Sequence, residues 1–301
     1  MRNASESPPQ HARGAVKRSR LVLGSADLRD DSLTQGLLDQ YYDAGGRSLD
    51  TANVYADGES QRAVGKWLGA RGGERGVTLY AKGCHPPYCR PELVSREVEI
   101  ARSSLGVGRM DVFMLHRDDT AFSVEAFADA LLEQVTAEKI GAFGVSNWTA
   151  ARFDELRAYL AHIGDDHLTV YSNHFSLGEM VTPTWPGCLA ATKAEATIVA
   201  DSGIRFLAWA SLAMGYFAGR DAPSWDSEEN KARRRRAIEL ARALRTTPNA
   251  VALSYVLHQR DNVYPVVGTR SAAHLDEAFL ACELELTASD LVVLETGISP
   301  V

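Results

Sequence analysis

Four side chains with complementary chemistry stand at or just after the ends of predicted strands. Asp50 closes the second predicted strand, Tyr55 follows in the next loop, Lys82 ends the third strand and His116 ends the fourth. Reducing a carbonyl group leaves developing negative charge on its oxygen, which must receive a proton from a positioned acid. A tyrosine, with an ordinary pKa of about 10, can be that acid when a nearby cation stabilises its phenolate. We interpret Tyr55 as the proton donor, Lys82 as the cation, Asp50 as the ion-pair partner of the lysine, and His116 as the group that orients the carbonyl oxygen.

Each of these residues also has an ordinary structural explanation. Asp50 could cap a helix, Tyr55 could be a loop aromatic, Lys82 a solvated charge at the rim, and His116 a hydrogen-bonded core residue. Taken singly, each explanation is adequate. Their coincidence at the ends of three consecutive strands favours a joint role, because the carboxyl ends of the parallel strands in a barrel meet at one mouth.

The elements that must position these groups alternate along the chain. Short runs of apolar and β-branched residues are separated by longer segments with helical apolar spacing, which is typical of βα units and a parallel sheet. The predicted strands are Leu21–Ser25, Arg47–Thr51, Val77–Lys82, Asp111–His116, Gly141–Ser146, Leu168–Asn173, Arg205–Ala210 and Val263–Gly268. The predicted helices are Leu33–Ala44, Gln61–Ala70, Pro91–Leu105, Val124–Glu138, Ala150–Ile163, Cys188–Asp201, Pro248–His258 and Ser271–Cys282. Eight strands, each followed by a helix, predict a (β/α)8 TIM barrel.

Two further segments exceed this basic pattern. One runs from about Asp221 to Arg245, after the seventh strand, and the other is a final helix near Ala288–Glu295. Residues 1–18 are rich in Ser, Pro and Arg without periodicity and are predicted to be a disordered tail. Because no Pro/Gly/Ser-rich linker divides the remainder, residues 19–301 are predicted to form a single domain.

Composition excludes several functional classes. A net charge of -7 offers no basic field for phosphate backbones, which argues against a nucleic-acid partner. No apolar run approaches the roughly 20 residues needed to cross a bilayer, and the N-terminal segment lacks the apolar stretch of a signal peptide, so we predict a cytoplasmic protein with no membrane partner. Four scattered cysteines do not make a disulfide framework. No metal is expected, because a metal-dependent barrel hydrolase needs a cluster of ligands at the strand ends and only Asp50 and His116 qualify.

A nucleotide site is indicated after the eighth predicted strand. A Gly-x-Gly-x-x-Gly fingerprint is absent, since Asp111 follows Gly106-Val107-Gly108 where the last glycine would stand. A barrel can instead hold phosphates through the loops after strands seven and eight and the start of a nearby helix. In Gly268-Thr269-Arg270-Ser271 the glycine allows close backbone approach and Arg270 can grip a phosphate bidentately. The alternative is a plain helix cap with a surface arginine.

Several runs of the sequence resemble one known family in the right order. The run Asp50-Thr51-Ala52-Asn53-Val54-Tyr55-Ala56-Asp57-Gly58-Glu59-Ser60 resembles the signature loop of the aldo-keto reductases, which contains the family's Asp and Tyr. The Lys82 strand, the segment Asp111–Asp119 and the run Gly144-Val145-Ser146-Asn147 resemble the next three blocks, and the resemblance extends from about Arg20 to Glu295. It implies a TIM barrel that reduces an aldehyde or ketone with NADPH, using Asp50, Tyr55, Lys82 and His116 on a small-molecule carbonyl substrate.

The same resemblance implies how the cofactor is held. Arg270 matches the position that pairs with the adenosine 2′-phosphate, which favours NADPH/NADP+ over NADH. Ser146 and Asn147 match the positions that hold the nicotinamide amide, Trp209 matches the aromatic on which the nicotinamide stacks, and Ser211–Gly219 would be the pyrophosphate loop. The implied cofactor-binding residues are Gly24, Ser25, Asp50, Ser146, Asn147, Ser172, Asn173, Trp209, Ser211, Leu212, Gly215, Gly268, Thr269, Arg270, His274 and Glu277.

The chain departs from the family pattern at several cofactor positions. Ser172 stands where the family usually has a glutamine that contacts the nicotinamide amide, and whether Asn173 substitutes for it is left open. Ser211 and Ala213 replace common residues of the loop after strand seven, and His274 stands where a glutamine often contacts the adenine end. We expect these changes to affect cofactor affinity more than chemistry.

The sequence also allows other interpretations. The runner-up function is a cofactor-binding regulatory or scaffold barrel with negligible turnover, which nucleotide binding without carbonyl reduction would reveal. The run Arg233–Arg236 is interpreted as a solvated helix face, with folding over the cofactor phosphates as the alternative. A monomer or weak homo-oligomer is expected.

Overall fold

Eight parallel strands close into a barrel in the computed structural model, which describes residues 19–73 and 76–298. The strands are β1 (Val22–Gly24), β2 (Ser48–Ala52), β3 (Thr78–Gly83), β4 (Met110–Leu115), β5 (Ile140–Ser146), β6 (Leu168–His174), β7 (Arg205–Trp209) and β8 (Val263–Gly268). Each strand pairs with its sequence neighbours, and β8 pairs with β1. The predicted (β/α)8 TIM barrel is therefore confirmed, while the tail predicted over residues 1–18 lies outside the described residues.

Helices follow the strands around the outside of the barrel. They are α1 (Ser32–Asp43), α2 (Glu59–Ala70), α3 (Val94–Leu105), α4 (Val124–Thr136), α5 (Ala150–Ile163), α6 (Lys193–Asp201), α7 (Glu228–Leu244), α8 (Pro248–Leu257), α9 (Ala272–Glu283) and α10 (Ala288–Thr296). Short 3-10 helices lie at Tyr55–Gly58, Pro91–Leu93, Ala213–Ala218 and Pro223–Trp225. The additional segments predicted after strand seven and at the C-terminus are α7 and α10.

One helix begins later than its sequence pattern predicts. The predicted start of the sixth helix at Cys188 is wrong, because α6 begins at Lys193. The intervening chain pairs with the end of β6: His174 N donates to Leu189 O and Ala191 N donates to His174 O, each over 2.9 Å. Only then does Thr192 form a capping box and open the helix.

The strands alternate their side chains between two sides of the sheet. One buried cluster fills the barrel interior and contains Val22, Tyr80, Val112, Met114, Val170, Leu207 and Val266. A larger cluster lies between the sheet and the helices and includes Leu49, Phe113, Tyr171 and Phe206. Because successive residues of a strand point to opposite faces, Asp50 and Lys82 share the interior side with Tyr80. The fold thus directs these two charges into the barrel at its carboxyl end.

The arginine run on α7 is partly structural. The Nη2 atom of Arg233 lies 2.6 Å from Glu179 Oε1, and Arg236 Nη2 lies 2.9 Å from Glu229 Oε1. Arg236 Nε also donates to Leu294 O over 2.9 Å. The interpretation of the run as a plain solvated face is therefore wrong for these two residues, which attach α7 to the loop after β6 and to α10.

The helices of the described ranges belong to this barrel architecture. Among residues 19–73 and 76–298, no helix combines the length and apolarity that crossing a bilayer requires. The same residues contain no group of three or more His, Cys, Asp or Glu side chains that could hold a metal ion.

Candidate active site

The four residues predicted to carry the chemistry meet at the carboxyl end of the barrel. Lys82 Nζ forms a buried ion pair with Asp50 Oδ1, and each residue is 4% exposed. The ammonium also lies 5.0 Å from the ring centroid of Tyr55. The Tyr55 and His116 rings are edge to face with centroids 5.7 Å apart. Ends of three neighbouring strands and one loop thus form a single acid–base cluster, defined here as Asp50, Tyr55, Lys82 and His116.

A tight connection after β2 brings Tyr55 over this cluster. Asn53 N donates to Lys82 O over 2.8 Å, which extends the pairing of β2 with β3. Ala56 and Asp57 then adopt left-handed backbone angles, with φ of 49° and 52°, so the chain turns back sharply before α2. Glu97, which is buried on α3, accepts from Asn53 Nδ2 over 2.9 Å and fixes this connection from outside.

The electrostatics of the cluster differ from the expectation of an acidified phenol. Burial raises the pKa of Tyr55, and the lowering by the Lys82 ammonium only opposes that rise. Burial likewise raises the pKa of Asp50 against the lowering by Lys82. For Lys82, burial lowers the pKa, but Asp50 and Tyr55 outweigh it and raise that pKa above its ordinary value. At neutral pH the phenol therefore keeps its proton, beside a lysine that is charged.

His116 is neutral in this environment. Burial lowers the pKa of His116 well below its ordinary value, and the positive charges of Lys82 and Arg117 add to the effect. Its backbone N–H donates to Gly83 O over 2.8 Å, while its Nδ1 atom has no hydrogen-bond partner among the described residues. The ring of His85 lies edge to face with it at 5.1 Å. A neutral imidazole can donate one hydrogen bond to a substrate oxygen.

Arg117 is the residue that sequence reasoning missed. It is 7% exposed, donates from Nη1 to His116 O over 2.9 Å, and donates from Nη2 to Cys188 Sγ over 3.3 Å. This buried positive charge contributes to the lowered pKa of His116 and opposes, to a lesser degree than Lys82, the rise that burial causes in the pKa of Tyr55. The available signal was its position directly after His116, the first residue beyond β4.

The residues predicted at the nicotinamide end line the ends of β5 to β7. Ser146 and Ser172 are buried register partners on β5 and β6. Asn147, with a left-handed φ of 58°, donates from Nδ2 to Ser146 Oγ over 3.0 Å. Trp209 ends β7, and its Nε1 atom is buried without a partner among the described residues. The ring of His174 lies 5.2 Å from the Trp209 ring and packs against it.

Asn173 is not brought to this group. Its Nδ2 atom donates to Trp148 O and to the Tyr171 hydroxyl oxygen, each over 2.9 Å. Tyr171 belongs to the cluster between the sheet and the helices, so Asn173 shares that outer side. Strand alternation thus directs Ser172 inward and Asn173 outward.

The loop after β7 has an unusual backbone. Ser211 Oγ donates to Val266 O over 2.9 Å and ties the loop to β8. Leu212 precedes a 3-10 segment in which Met214 and Gly215 have φ of 54° and 88°. The Arg234 guanidinium lies 5.7 Å from the ring centroid of Tyr216 in this loop, so this arginine of α7 contacts the predicted pyrophosphate loop.

Two glycines open the barrel rim between β1 and β8. Gly24 and Gly268 are register partners there. A Cβ on Gly268 would meet only Gly24 O, at 3.8 Å, so the backbone is accessible at this point. Ser25 follows Gly24 and is buried, with its Oγ atom 2.7 Å from that of Ser60. Thr269, beyond Gly268, is also buried.

Arg270 lies at this opening and already has a carboxylate partner. Its Nη2 atom donates to Asp31 Oδ2 over 2.6 Å, and its Nη1 atom donates to Asp27 O over 3.1 Å. Hydrogen bonds from the Arg270 guanidinium and, to a lesser degree, from Thr34 lower the pKa of Asp31 to about 2. Ser271 caps α9 by accepting from His274 N. The start of α9 and Arg270 thus form a positively polarised edge.

Glu277 lies further along α9. Its carboxylate accepts a hydrogen bond from the Thr247 hydroxyl at the start of α8. This contact joins α8 to α9, so the predicted cofactor-binding role of Glu277 would require that bond to be shared.

Comparison with known proteins agrees with this architecture. A model of the aldo/keto reductase family matches residues 20–296. The chain is 25% identical to an aryl-alcohol dehydrogenase of Pestalotiopsis microspora, over 96% of this chain and 84% of that protein. It is also 25% identical to an NADP(+) aldo-keto reductase of Schizosaccharomyces pombe, over 88% of this chain and 82% of that protein.

A solved structure shares the fold. An aldo-keto reductase from Klebsiella pneumoniae in complex with NADPH superposes with a TM-score of 0.72 at 19% identity, covering 93% of this chain and 95% of that chain. At this identity the likeness concerns the barrel itself. Because the family model extends over nearly all of the described residues, the chain belongs to the aldo/keto reductase family of oxidoreductases.

Proposed function

We propose that this protein reduces an aldehyde or ketone to an alcohol with NADPH, in a reversible reaction. The observation that carries the proposal is the acid–base cluster, in which a protonated phenol, a charged lysine and a neutral histidine meet at the mouth of the barrel. Proton transfer to a carbonyl oxygen needs an acid that holds its proton at the working pH, and Tyr55 meets that condition.

The residues of the chain fit a nicotinamide dinucleotide. The buried Nε1 atom of Trp209 has no hydrogen-bond partner among the described residues and can donate to a ligand at the predicted nicotinamide end. The open backbone at Gly268, where a Cβ would meet only Gly24 O at 3.8 Å, lets a ligand approach closely. Arg270 supplies a guanidinium for a 2′-phosphate. When bound, NADPH would supply the hydride.

The chain's own residues perform the proton chemistry. His116, held neutral, donates a hydrogen bond that orients the carbonyl oxygen. Tyr55 donates its proton to that oxygen, and the Lys82 ammonium stabilises the resulting phenolate. Asp50 keeps the lysine charged and in place. In the reverse direction the phenolate accepts the proton of the alcohol.

The proposal is tested by following NADPH oxidation with a panel of aromatic and aliphatic aldehydes and ketones. Tyr55→Phe removes the donated proton and should lower kcat/KM by about 10²–10⁴-fold. The dissociation constant for NADPH should change less than about twofold, because the phenol hydroxyl is not among its proposed contacts. Tyr88→Phe, at an exposed tyrosine of the next loop, is the matched control and should retain full activity.

Two outcomes would count against the proposal. Full activity in Tyr55→Phe would remove the phenol from the reaction. Tight NADPH binding with no turnover of any carbonyl compound would favour the cofactor-binding regulatory or scaffold barrel instead.

A further inference from the structure

We propose that Asp31 competes with the cofactor for Arg270 and so limits the preference of this protein for a 2′-phosphorylated dinucleotide. The inference rests on the proposed function, in which Arg270 receives the 2′-phosphate. It assigns a specificity-determining role to a residue of the loop after β1, 239 positions away from the arginine in the chain.

Asp31 has a fixed position because it performs two tasks at once. It is the N-cap of α1, and its Oδ1 atom accepts from Thr34 N over 2.8 Å. Its other oxygen, Oδ2, accepts from Arg270 Nη2 over 2.6 Å. The helix cap therefore anchors the carboxylate, and the free oxygen is presented to the guanidinium.

The carboxylate is charged whenever the protein is folded at physiological pH. Its hydrogen bond to Arg270 is the largest cause that lowers the pKa of Asp31 to about 2. A phosphate that approaches Arg270 consequently meets a fixed negative charge beside its binding partner. It must displace Asp31 from the guanidinium or share the guanidinium with it, and both weaken binding.

The effect should be specific for the 2′-phosphate. A dinucleotide with a 2′-hydroxyl carries no charge at that position and does not need the Arg270 donors. The side chains of Arg270 and Asp31 are 33% and 38% exposed, so solvent screening keeps the competition modest. Removing the charge of Asp31 is expected to lower the dissociation constant for NADPH about three- to fivefold.

Asp31→Asn tests this directly, since asparagine caps helices as well as aspartate does but carries no charge. Dissociation constants for NADPH and NADH are measured by fluorescence titration, in low salt and in high salt. We expect NADPH to bind about three- to fivefold more tightly at low salt, a smaller gain at high salt, and less than a twofold change for NADH. Thermal unfolding verifies that the cap is retained.

Asp30→Asn is the matched control. This neighbouring carboxylate pairs with Lys66 Nζ at 2.8 Å rather than with Arg270, and its loss changes the net charge equally. It should change NADPH binding less than twofold. An equal gain in NADPH affinity in Asp30→Asn and Asp31→Asn would show a general charge effect and overturn the inference. Weaker NADPH binding in Asp31→Asn would also overturn it, because Asp31 would then orient Arg270 for the phosphate.

Arg270→Met tests separately whether Arg270 binds the 2′-phosphate, on which the competition with Asp31 depends. Loss of the NADPH preference in Arg270→Met, together with no further effect of Asp31→Asn in the double variant, supports the competition. An unchanged ratio of NADPH to NADH affinity in Arg270→Met overturns both the phosphate role of Arg270 and the competition. These titrations measure cofactor binding alone. Whether the protein reduces carbonyl compounds is measured separately, in the NADPH oxidation assays of the wild type and Tyr55→Phe.

Discussion

The two halves of the barrel mouth hold their charges in opposite ways. On the side of β2 to β4, Lys82 and Asp50 are nearly inaccessible to solvent and are paired with each other. On the side of β8 and β1, Arg270 and Asp31 are paired over a similar contact but lie about one-third exposed. One ion pair is built into the protein interior, while the other stands at an open rim next to Gly268.

This difference corresponds to two chemical tasks. A proton transfer gains from charges that are buried and already oriented, because little rearrangement is needed when charge develops on the reacting oxygen. Reversible capture of a phosphate requires a cation that can exchange partners, and exposure keeps the cost of such exchange small. We therefore expect substitutions on the two sides to differ in their effects on both stability and function.

The largest effect should follow from breaking the buried pair. Lys82→Met leaves Asp50 buried without its partner, so the free energy of unfolding should fall by about 3 kcal/mol. Loss of the cation that stabilises the phenolate should also lower kcat/KM for carbonyl reduction by about 10²–10⁴-fold. Urea unfolding and steady-state assays measure the two effects.

Lys66→Met provides the control for that variant. Lys66 forms an exposed pair with Asp30, so neither the urea midpoint nor the reduction rate should change measurably. If Lys82→Met retained half of the wild-type rate, Lys82 would have no part in the proton step.

A smaller, graded effect is expected from pH. Since burial raises the pKa of Tyr55, the phenol is protonated at neutral pH, and kcat/KM for reduction should be insensitive to Tyr55 ionisation there. As pH rises through that pKa the acid is lost, and the reduction rate should fall by about tenfold per pH unit. Alcohol oxidation needs the phenolate and should rise over the same interval. A reduction rate that increased with pH through that interval would contradict this assignment of the acid.

The smallest effect on stability should come from breaking the exposed ion pair of Arg270 and Asp31. Arg270→Met removes a rim contact, so the urea midpoint should stay within experimental error of the wild type. A clear loss of stability in this variant would show that Arg270 is a structural residue, and would weaken the contrast between the two halves.

Local sequence patterns were sufficient for much of the fold. The fifth helix, Ala150–Ile163, and the eighth strand, Val263–Gly268, have the same bounds in the prediction and in the structure. Strand alternation also contained the signal that separates Ser172 from Asn173, although the prediction did not use it. The sixth helix was placed too early because its first residues pair with β6, and that contact has no local pattern.

The sequence by itself determined the eight βα units and the presence of Asp50, Tyr55, Lys82 and His116 at or after strand ends, because periodicity and strand termini are properties of neighbouring residues. Only the tertiary structure decided that burial outweighs Lys82 in setting the pKa of Tyr55, and that Arg270 faces Asp31. Solvent exclusion and contacts between distant segments arise only when the barrel closes, so no local pattern contains them.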